Sequence, residues 1–288
     1  MSSDLKELAP KQFPALLREI PDAPKKLYLR GELPPDEHRF LAVVGSRAMT
    51  SYGRQAVRFL IEGLRGYPVV IVSGLAYGVD AEAHKAALDT GLRTIAVPGS
   101  GLEWNVVYPK ANVGLAREIV AAGGCLISEE KPDAKTMDYM FPKRNRIMAG
   151  MSHATLVIEA KEKSGSLITA KLVTEYNREL LVVPGSIFSE ESRGVHQFLR
   201  LGATAVTEPA HILQALGITP REGASSLNEL RDDLSEDELR VFEIVRSPMP
   251  RDALMTALDM PVTEANVLLS TMEIKGLIVE ELGVVRIR

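Results

Sequence analysis

The sequence predicts a doubly wound α/β fold with a mostly parallel sheet, followed by a small C-terminal winged-helix-like domain. Continuous runs of Val, Ile and Leu, without polar alternation, are typical of strands buried on both faces. Short connections join these runs to amphipathic helical segments, and this alternation favours parallel strands covered by helices. A chain of 288 residues with 45% hydrophobic content is long enough for one large core and one small one.

The strands and helices of the main domain follow one another regularly. Six apolar runs predict strands: Phe40–Gly45, Val69–Gly74, Arg93–Gly99, Cys125–Glu130, Ala154–Ala160 and Glu179–Gly185. Between them, helical patterns occupy Ser51–Leu64, Val79–Leu88, Asn112–Ala122 and Ser166–Tyr176. We therefore expect a core domain over residues 36–218.

The two ends of the chain have a different character. Residues 1–35 contain several prolines, which favours an extended lead-in segment with at most one short helix. Residues 219–234 are polar and without periodicity, as expected of a linker. Residues 235–288 begin with a capping-box pattern, Ser235 and Glu238, and continue as three helices and a two-stranded ribbon around Gly283. This order is typical of a winged helix.

Charge is distributed unevenly between these parts. The whole chain has 34 Lys and Arg against 38 Asp and Glu, a net charge of −4. Residues 235–288 hold 6 of these cations and 10 of these anions, so the rest is neutral, with 28 of each. A neutral domain with a local basic site can bind nucleic acid, because phosphates respond to local potential. We expect the acidic tail to contact protein or the core domain, not duplex DNA.

Composition also indicates where the protein works. Its one cysteine, Cys125, cannot form a disulfide framework, which fits a reducing compartment. We find neither a signal-peptide pattern nor an apolar run near the ~20 residues of a membrane span. We therefore expect a cytoplasmic protein with no membrane partner.

Polar loops at the carboxyl ends of the predicted strands form the candidate site. Glycine lets a backbone approach a ligand, and helix N-termini present free N–H groups to anions. In isolation, each loop is also explained by ordinary helix capping. The candidate binding residues in these loops are Gly45, Ser46, Arg47, Ser73, Gly74, Lys163, Ser164, Gly165, Ser166 and Thr169.

A basic cluster lies in the stretch FPKRNRIMAG, residues 141–150. Lys143, Arg144 and Arg146 can neutralise backbone phosphates, and Asn145 can donate a hydrogen bond to them. The aromatic rings of Tyr139 and Phe141 can stack on bases. In the alternative interpretation, Phe141 packs in the core and Arg146 pairs with a carboxylate such as Glu129 or Glu159.

Several motifs together resemble one known family. The stretches VVGSR, SGLAYGVDAEAH, FPKRNRIMAG, KSGSLITA and SRGVHQFLRLGA occur in this order within residues 41–216. They are similar to the signature blocks of the DprA/Smf family of bacterial DNA-processing proteins. The resemblance implies a Rossmann-like core that binds single-stranded DNA, forms a homodimer and loads the RecA recombinase in natural transformation. The family commonly has a small residue and then Asn where Val195 and His196 stand here, which leaves the role of His196 open.

Other chemistry has weaker support. Asp80 and His84 have a possible metal-ligand spacing, but without a third ligand we favour an internal hydrogen bond or cap. The rings of Trp104 and Tyr108 are able to stack on a ligand, but packing in a loop is the default expectation. The sequence lacks the pattern GxxxxGK[ST], and we expect no cofactor, no metal and no catalysis. The alternatives are a protein that binds a nucleotide or nucleotide derivative, and an enzyme acting on one.

Overall fold

The chain divides into two compact units, residues 1–220 and 221–288. Its structure is a computed structural model that describes residues 5–35, 37–162, 165–220, 234–245, 249–281 and 283–287. Within these ranges, every helix is too short or too polar to cross a membrane.

The first unit is built on a nine-stranded sheet within the described residues. The strands are β1 (Leu5–Leu8), β2 (Leu27–Gly31), β3 (Arg39–Val44), β4 (Val69–Ser73), β5 (Arg93–Ala96), β6 (Cys125–Ser128), β7 (Ala154–Val157), β8 (Glu179–Val182) and β9 (Thr204–Ala205). Their order is β1-β2-β6-β5-β4-β3-β7-β8-β9, and all pairs from β6 to β9 are parallel. The predicted α/β class with a mostly parallel sheet is confirmed.

Helices cover both faces of this sheet. They are α1 (Ala15–Glu19), α2 (Ser51–Glu62), α3 (Val79–Asp89), α4 (Val113–Ala121), α5 (Met140–Met151), α6 (Gly165–Glu175), α7 (Arg193–Arg200) and α8 (Pro209–Ala215). Alternate residues of β3 enter different cores. Ala42 packs in the core that holds Ile147 of α5, while Leu41 packs in the core that holds Leu60 of α2. Strands buried on both faces explain the continuous apolar runs.

Strand order reverses beside β3, and this reversal positions the candidate site. β3 pairs with β4 on one side and with β7, much later in the chain, on the other. In doubly wound sheets, ligands bind at the carboxyl ends of the strands next to such a reversal. The loops that follow β3, β4, β5 and β7 all begin at this edge.

The N-terminal segment differs from the expected lead-in. Its β1 and β2 extend the sheet through antiparallel pairing of β2 with β6. Leu17 of α1 and Leu27 of β2 are fully buried in the main core. The prolines interrupt regular structure in this segment, but the segment still packs on the core. Its one short α-helix, α1, agrees with the expectation of at most one short helix.

The second unit has a separate small core. Its elements are α9 (Glu236–Ile244), β10 (Met249–Pro250), α10 (Arg251–Leu258), α11 (Val262–Ile274), β11 (Ile278–Glu281) and β12 (Val284–Ile287). Its sheet has three strands in the order β10-β12-β11, one more than the expected ribbon. The capping box of Ser235 and Glu238 is confirmed, because each side chain accepts a hydrogen bond from the other's backbone N–H. Most of the expected linker, residues 221–233, lies outside the described residues.

Candidate nucleic-acid interface

The loop after β3 presents an exposed cation at the carboxyl edge. The Ser46 carbonyl accepts a hydrogen bond from the Val79 N–H at 3.2 Å, which fastens the loop to the start of α3. The Ser46 hydroxyl oxygen accepts from the Ala48 N–H at 3.1 Å. These bonds hold the backbone on both sides of Arg47, whose side chain extends into solvent. Gly45, before them, lies against Val79 and the Glu159 backbone.

Arg47 meets an aromatic pair formed by Phe141 and Tyr108. The guanidinium carbon of Arg47 lies 5.0 Å from the Phe141 ring centroid, a cation–π distance. The Tyr108 and Phe141 rings are 5.9 Å apart at an interplanar angle of 56°. Phe141 is half-buried against Gly99, where a Cβ would lie 2.6 Å from the ring, so only glycine permits this approach. The ring therefore packs on one side and remains accessible on another.

Gly99 was missed as a site residue by the sequence analysis, which favoured packing over stacking for Tyr108. Tyr108 is 40% exposed and belongs to the loop after β5. The signal was present, because the VPG at the end of β5 is another glycine-containing turn at the carboxyl edge. Trp104 of the same loop lies between the guanidinium groups of Arg30 and Arg117, at 4.5 and 5.2 Å, as expected of a packed residue.

Lys143 lies near this cluster but is already paired. Its Nζ is 2.9 Å from a Glu130 oxygen and 3.3 Å from a Glu129 oxygen, and its side chain is 39% exposed. Both carboxylates follow β6 directly. A polyanion approaching Lys143 has to compete with these two acceptors, which weakens its contribution to the local positive potential.

Arg144 differs from its expected role as a cation that faces phosphate. The side chain is buried, and its Nη1 donates to the Val97 carbonyl at 2.6 Å. Its Nη2 lies 3.9 Å from Asp80. Gly74 makes room for it, because a Cβ there would lie only 1.5 Å from Nη1. Arg144 therefore joins α5 to α3, through Asp80, and to the residue that follows β5, beneath the site.

Asp80 is the buried partner of Arg144 and also orders the turn after β4. Its Oδ2 accepts hydrogen bonds from the N–H groups of Gly74 and Ala76 at 3.1 and 3.3 Å. Burial raises the pKa of Asp80, and the Arg144 charge and the two N–H groups oppose that rise. The Arg47 charge opposes that rise in pKa as well.

Arg146 follows the alternative interpretation. Its guanidinium donates to Glu129 and to the Asp22 carbonyl, and its side chain is 13% exposed. Arg146 therefore joins α5 to the N-terminal segment and the end of β6. Glu159, the other candidate partner, is used elsewhere: its carboxylate accepts from the Thr50 N–H at 2.9 Å and from the Thr50 hydroxyl. A carboxylate thus occupies the N-terminus of α2, where an anion would otherwise bind.

The remaining candidates separate into inward and outward groups. The Ser73 hydroxyl is buried and donates to the Val43 carbonyl at 2.7 Å, and Thr169 is also buried. Tyr139 is 61% exposed at the start of α5, and Asn145 is half-buried nearly two turns later. Gly165 and Ser166 form the first turn of α6, as predicted. Lys163 and Ser164 lie outside the described residues.

Asp80 and His84 both make internal hydrogen bonds. His84 is fully buried and donates from Nδ1 to the Thr94 hydroxyl oxygen at 2.7 Å, while that hydroxyl donates to the Ile71 carbonyl. Burial lowers the pKa of His84 to about 3, so the imidazole stays neutral. Across the described ranges, no three His, Cys, Asp or Glu side chains are grouped to hold a metal ion. The predicted internal hydrogen bonds are confirmed.

The arrangement is therefore an exposed arginine against accessible aromatic rings, supported by a buried ion pair. An arginine in this position can contact a phosphate, and the rings can stack on bases of any sequence. Neither interaction needs a proton transfer.

Comparison with known proteins matches this description. A family model for "DNA recombination-mediator protein A" covers residues 6–217, within the first unit. Protein Smf of Escherichia coli is 43% identical over 204 residues, 71% of this chain but 54% of that protein, so the chain spans about half its length. The X-ray structure of DNA processing protein A from Streptococcus pneumoniae is 40% identical, with a TM-score of 0.68, over 73% of this chain and 74% of that one. A structure of DNA processing protein A from Helicobacter pylori, described for its single-stranded DNA binding mode, is 30% identical, with a TM-score of 0.66, over 74% of this chain and 95% of that one.

Proposed function

Because the chain belongs to the DNA recombination-mediator protein A (DprA) family, we propose that it binds single-stranded DNA without sequence preference. The strand lies along the carboxyl edge of the sheet, protected there during natural transformation and recombination. The single observation that carries this proposal is the contact of exposed Arg47 with the accessible Phe141 ring. It combines a phosphate-binding cation with a base-stacking surface in one place.

Within this proposal the residues have different tasks. Arg47 contacts a phosphate, Phe141, Tyr108 and Tyr139 offer rings to bases, and Lys143 adds charge when released from its carboxylates. Gly45, Ser46, Asn145, Gly165 and Ser166 donate hydrogen bonds to phosphates, together with Lys163 and Ser164. Five of the predicted residues support the site from inside: Ser73, Gly74, Arg144, Arg146 and Thr169.

The wider role follows the family resemblance. We propose that the protein acts without catalysis, as a homodimer in the cytoplasm, and passes the bound strand to the RecA recombinase. Recombination mediation needs a strand whose base-pairing edges remain free, and contacts to phosphates and to the faces of the bases leave those edges open. A stacking and phosphate-binding surface meets that need without any chemical step.

A fluorescence anisotropy titration tests this function. A labelled dT oligomer of about 20 nucleotides is titrated with wild-type protein, Arg47→Ala and Arg65→Ala at two salt concentrations, with unlabelled dTMP as competitor. Arg65 is the matched control, since it is exposed just beyond the end of α2 that points away from the site. We expect Arg47→Ala to weaken binding and to reduce the log–log salt slope by about 0.7, the value for one phosphate of a single strand.

Three results would contradict the proposal. If the Arg47→Ala and wild-type proteins bind the oligomer equally well, Arg47 does not contact the strand and the proposed site is wrong. Equal losses in the Arg47→Ala and Arg65→Ala proteins would indicate nonspecific attraction. Competition by dTMP as effective per molecule as by unlabelled oligomer would favour the alternative of a nucleotide-binding protein, because a strand-binding groove prefers several linked nucleotides.

A further inference from the structure

We propose that the strand-binding surface extends across the sheet edge to Phe188, which forms a second base-stacking position. This inference rests on the proposed function and adds a path and a minimum length to it. Phe188 is 90% exposed and its neighbour Ile187 is 75% exposed, in the loop after β8. A phenylalanine ring this bare has no packing role within the described part of the first unit.

The loop that carries Phe188 has a defined turn. The Phe188 N–H donates to the Ser186 hydroxyl oxygen at 3.2 Å, and the Ser189 N–H donates to the Ser186 carbonyl at 3.1 Å. An ordered turn holds an exposed ring in place before a ligand arrives, which lowers the entropy cost of stacking on it.

Two side chains fasten the base of this loop. The Tyr52 hydroxyl donates to the Pro184 carbonyl, and the Tyr52 ring lies beside Gly185. His196 donates from Nε2 to the Gly185 carbonyl at 3.0 Å. The role that the sequence left open for His196 is thus a structural one, positioning the loop that presents Phe188.

Tyr52 also makes the surface continuous with the candidate site. It lies in the first turn of α2, which begins at Ser51, four residues after Arg47. A single side chain therefore connects the Arg47 loop to the Phe188 loop. β8 is the second strand from β3, so the two strand ends are about 10 Å apart at the usual spacing of about 4.8 Å.

Charge along this path is compatible with a polyanion. Glu190 and Glu191 follow Phe188, and Lys161, with its Nζ 3.9 and 3.1 Å from their oxygens, offsets one of their two negative charges. Arg54 on α2 and Arg193 at the start of α7 are exposed. At the duplex rise of about 3.4 Å per nucleotide of each strand, about three nucleotides cover 10 Å.

The test compares two oligomer lengths and two substitutions. Phe188→Ala and Phe188→Leu are titrated with dT oligomers of about 2 and about 20 nucleotides, beside wild type and Arg47→Ala. Leucine keeps the apolar character but removes the aromatic face, so both substitutions abolish stacking. We expect about fivefold or greater weakening for the long oligomer, and none for the short one, in both Phe188 variants. Arg47→Ala should weaken both lengths.

Three other outcomes would contradict the inference, and each has a different meaning. If only Arg47→Ala weakens binding, the first site stands and the second position does not exist. If no variant weakens binding, the proposed site fails as well. If Phe188→Ala lowers the molar mass measured by light scattering without DNA while Phe188→Leu does not, the apolar tip is an interface between copies of this chain.

Discussion

Substitution of Asp80 should strongly destabilise the first unit. Asp80 is 5% exposed, accepts two backbone hydrogen bonds and lies 3.9 Å from the equally buried Arg144. Asp80→Ala removes the acceptor of the Gly74 and Ala76 N–H groups and leaves a buried guanidinium without its carboxylate. Each hydrogen bond to a charged group is worth about 1.5–3 kcal/mol, and breaking a buried pair from one side costs about 3–5 kcal/mol.

These contributions overlap because one carboxylate makes all three contacts. We therefore expect a loss of about 3–5 kcal/mol in the free energy of unfolding, against a typical total of about 5–15 kcal/mol. Urea unfolding followed by fluorescence measures it. Trp104 is the one tryptophan of the chain and belongs to the first unit, so its emission reports on that unit alone.

The double variant Asp80→Ala with Arg144→Met separates the two causes. It removes the buried charge as well as its partner, so part of the lost stability should return, about 1–2 kcal/mol. A loss below about 1 kcal/mol in Asp80→Ala would contradict the buried pair. A double variant no more stable than the single one would show that Arg144 is not the group left uncompensated.

Three further predictions concern stability and protonation. Arg146→Met should lower the free energy of unfolding by about 2 kcal/mol, because the Glu129 carboxylate and the Asp22 carbonyl lose their donor. An unchanged midpoint in urea unfolding would show that the contact is not needed. Nitrogen-15 NMR should find His84 neutral at pH 6, with its proton on Nδ1 toward Thr94. The pKa of His84 in the folded protein, about 3, is below the ordinary 6.5, so the unfolded chain binds a proton first. The free energy of unfolding should therefore fall by about 1.4 kcal/mol per pH unit as the pH drops below 6.5. Titration of His84 near pH 6 in the folded protein would contradict its burial. In the second unit, Lys275 and the Ser235 N–H lower the pKa of Glu238, so its stabilising contribution is present above about pH 4.5 and lost as pH falls through the lowered pKa. Glu238→Gln should flatten that part of the stability profile, and an identical acid profile would exclude the role of Glu238.

Much of the fold could be predicted because burial on both faces leaves a direct mark on the sequence. Runs such as Val69–Ser73 have apolar residues facing both cores, and the structure makes them strands. The edge strands β1 and β2 leave a weaker mark, because their neighbours are prolines and charged residues. Leu17 and Leu27 are the residues through which this segment packs on the core. Single leucines in an irregular stretch do not show which part of the protein they pack against.

The basic cluster shows what local sequence cannot determine. Lys143, Arg144 and Arg146 lie within α5, where successive residues point about 100° apart, so they cannot all face one ligand. Pro142 in the first turn is a sequence signal for this helix. The partners of the two arginines are distant in the chain, Asp80 for Arg144 and Glu129 for Arg146, and only the tertiary fold brings them together.

Arg47 shows the opposite case. Its position follows from the topology alone, because a residue three places beyond a central parallel strand must lie at the carboxyl edge. Its contact with Phe141 depends on where α5 begins, and on the absence of a side chain at Gly99. The sequence therefore predicts which edge binds, and the structure shows which side chains face outward there.

Hydrogen exchange measured by mass spectrometry, with and without a dT oligomer of about 20 nucleotides, tests the location of the strand most directly. We predict slower exchange in peptides covering residues 45–52, 98–108 and 139–147, which belong to the carboxyl edge. Peptides at the opposite edge, such as residues 65–68 and 90–93, should exchange at the same rate in both samples. Protection confined to that opposite edge or to residues 235–287 would contradict the account.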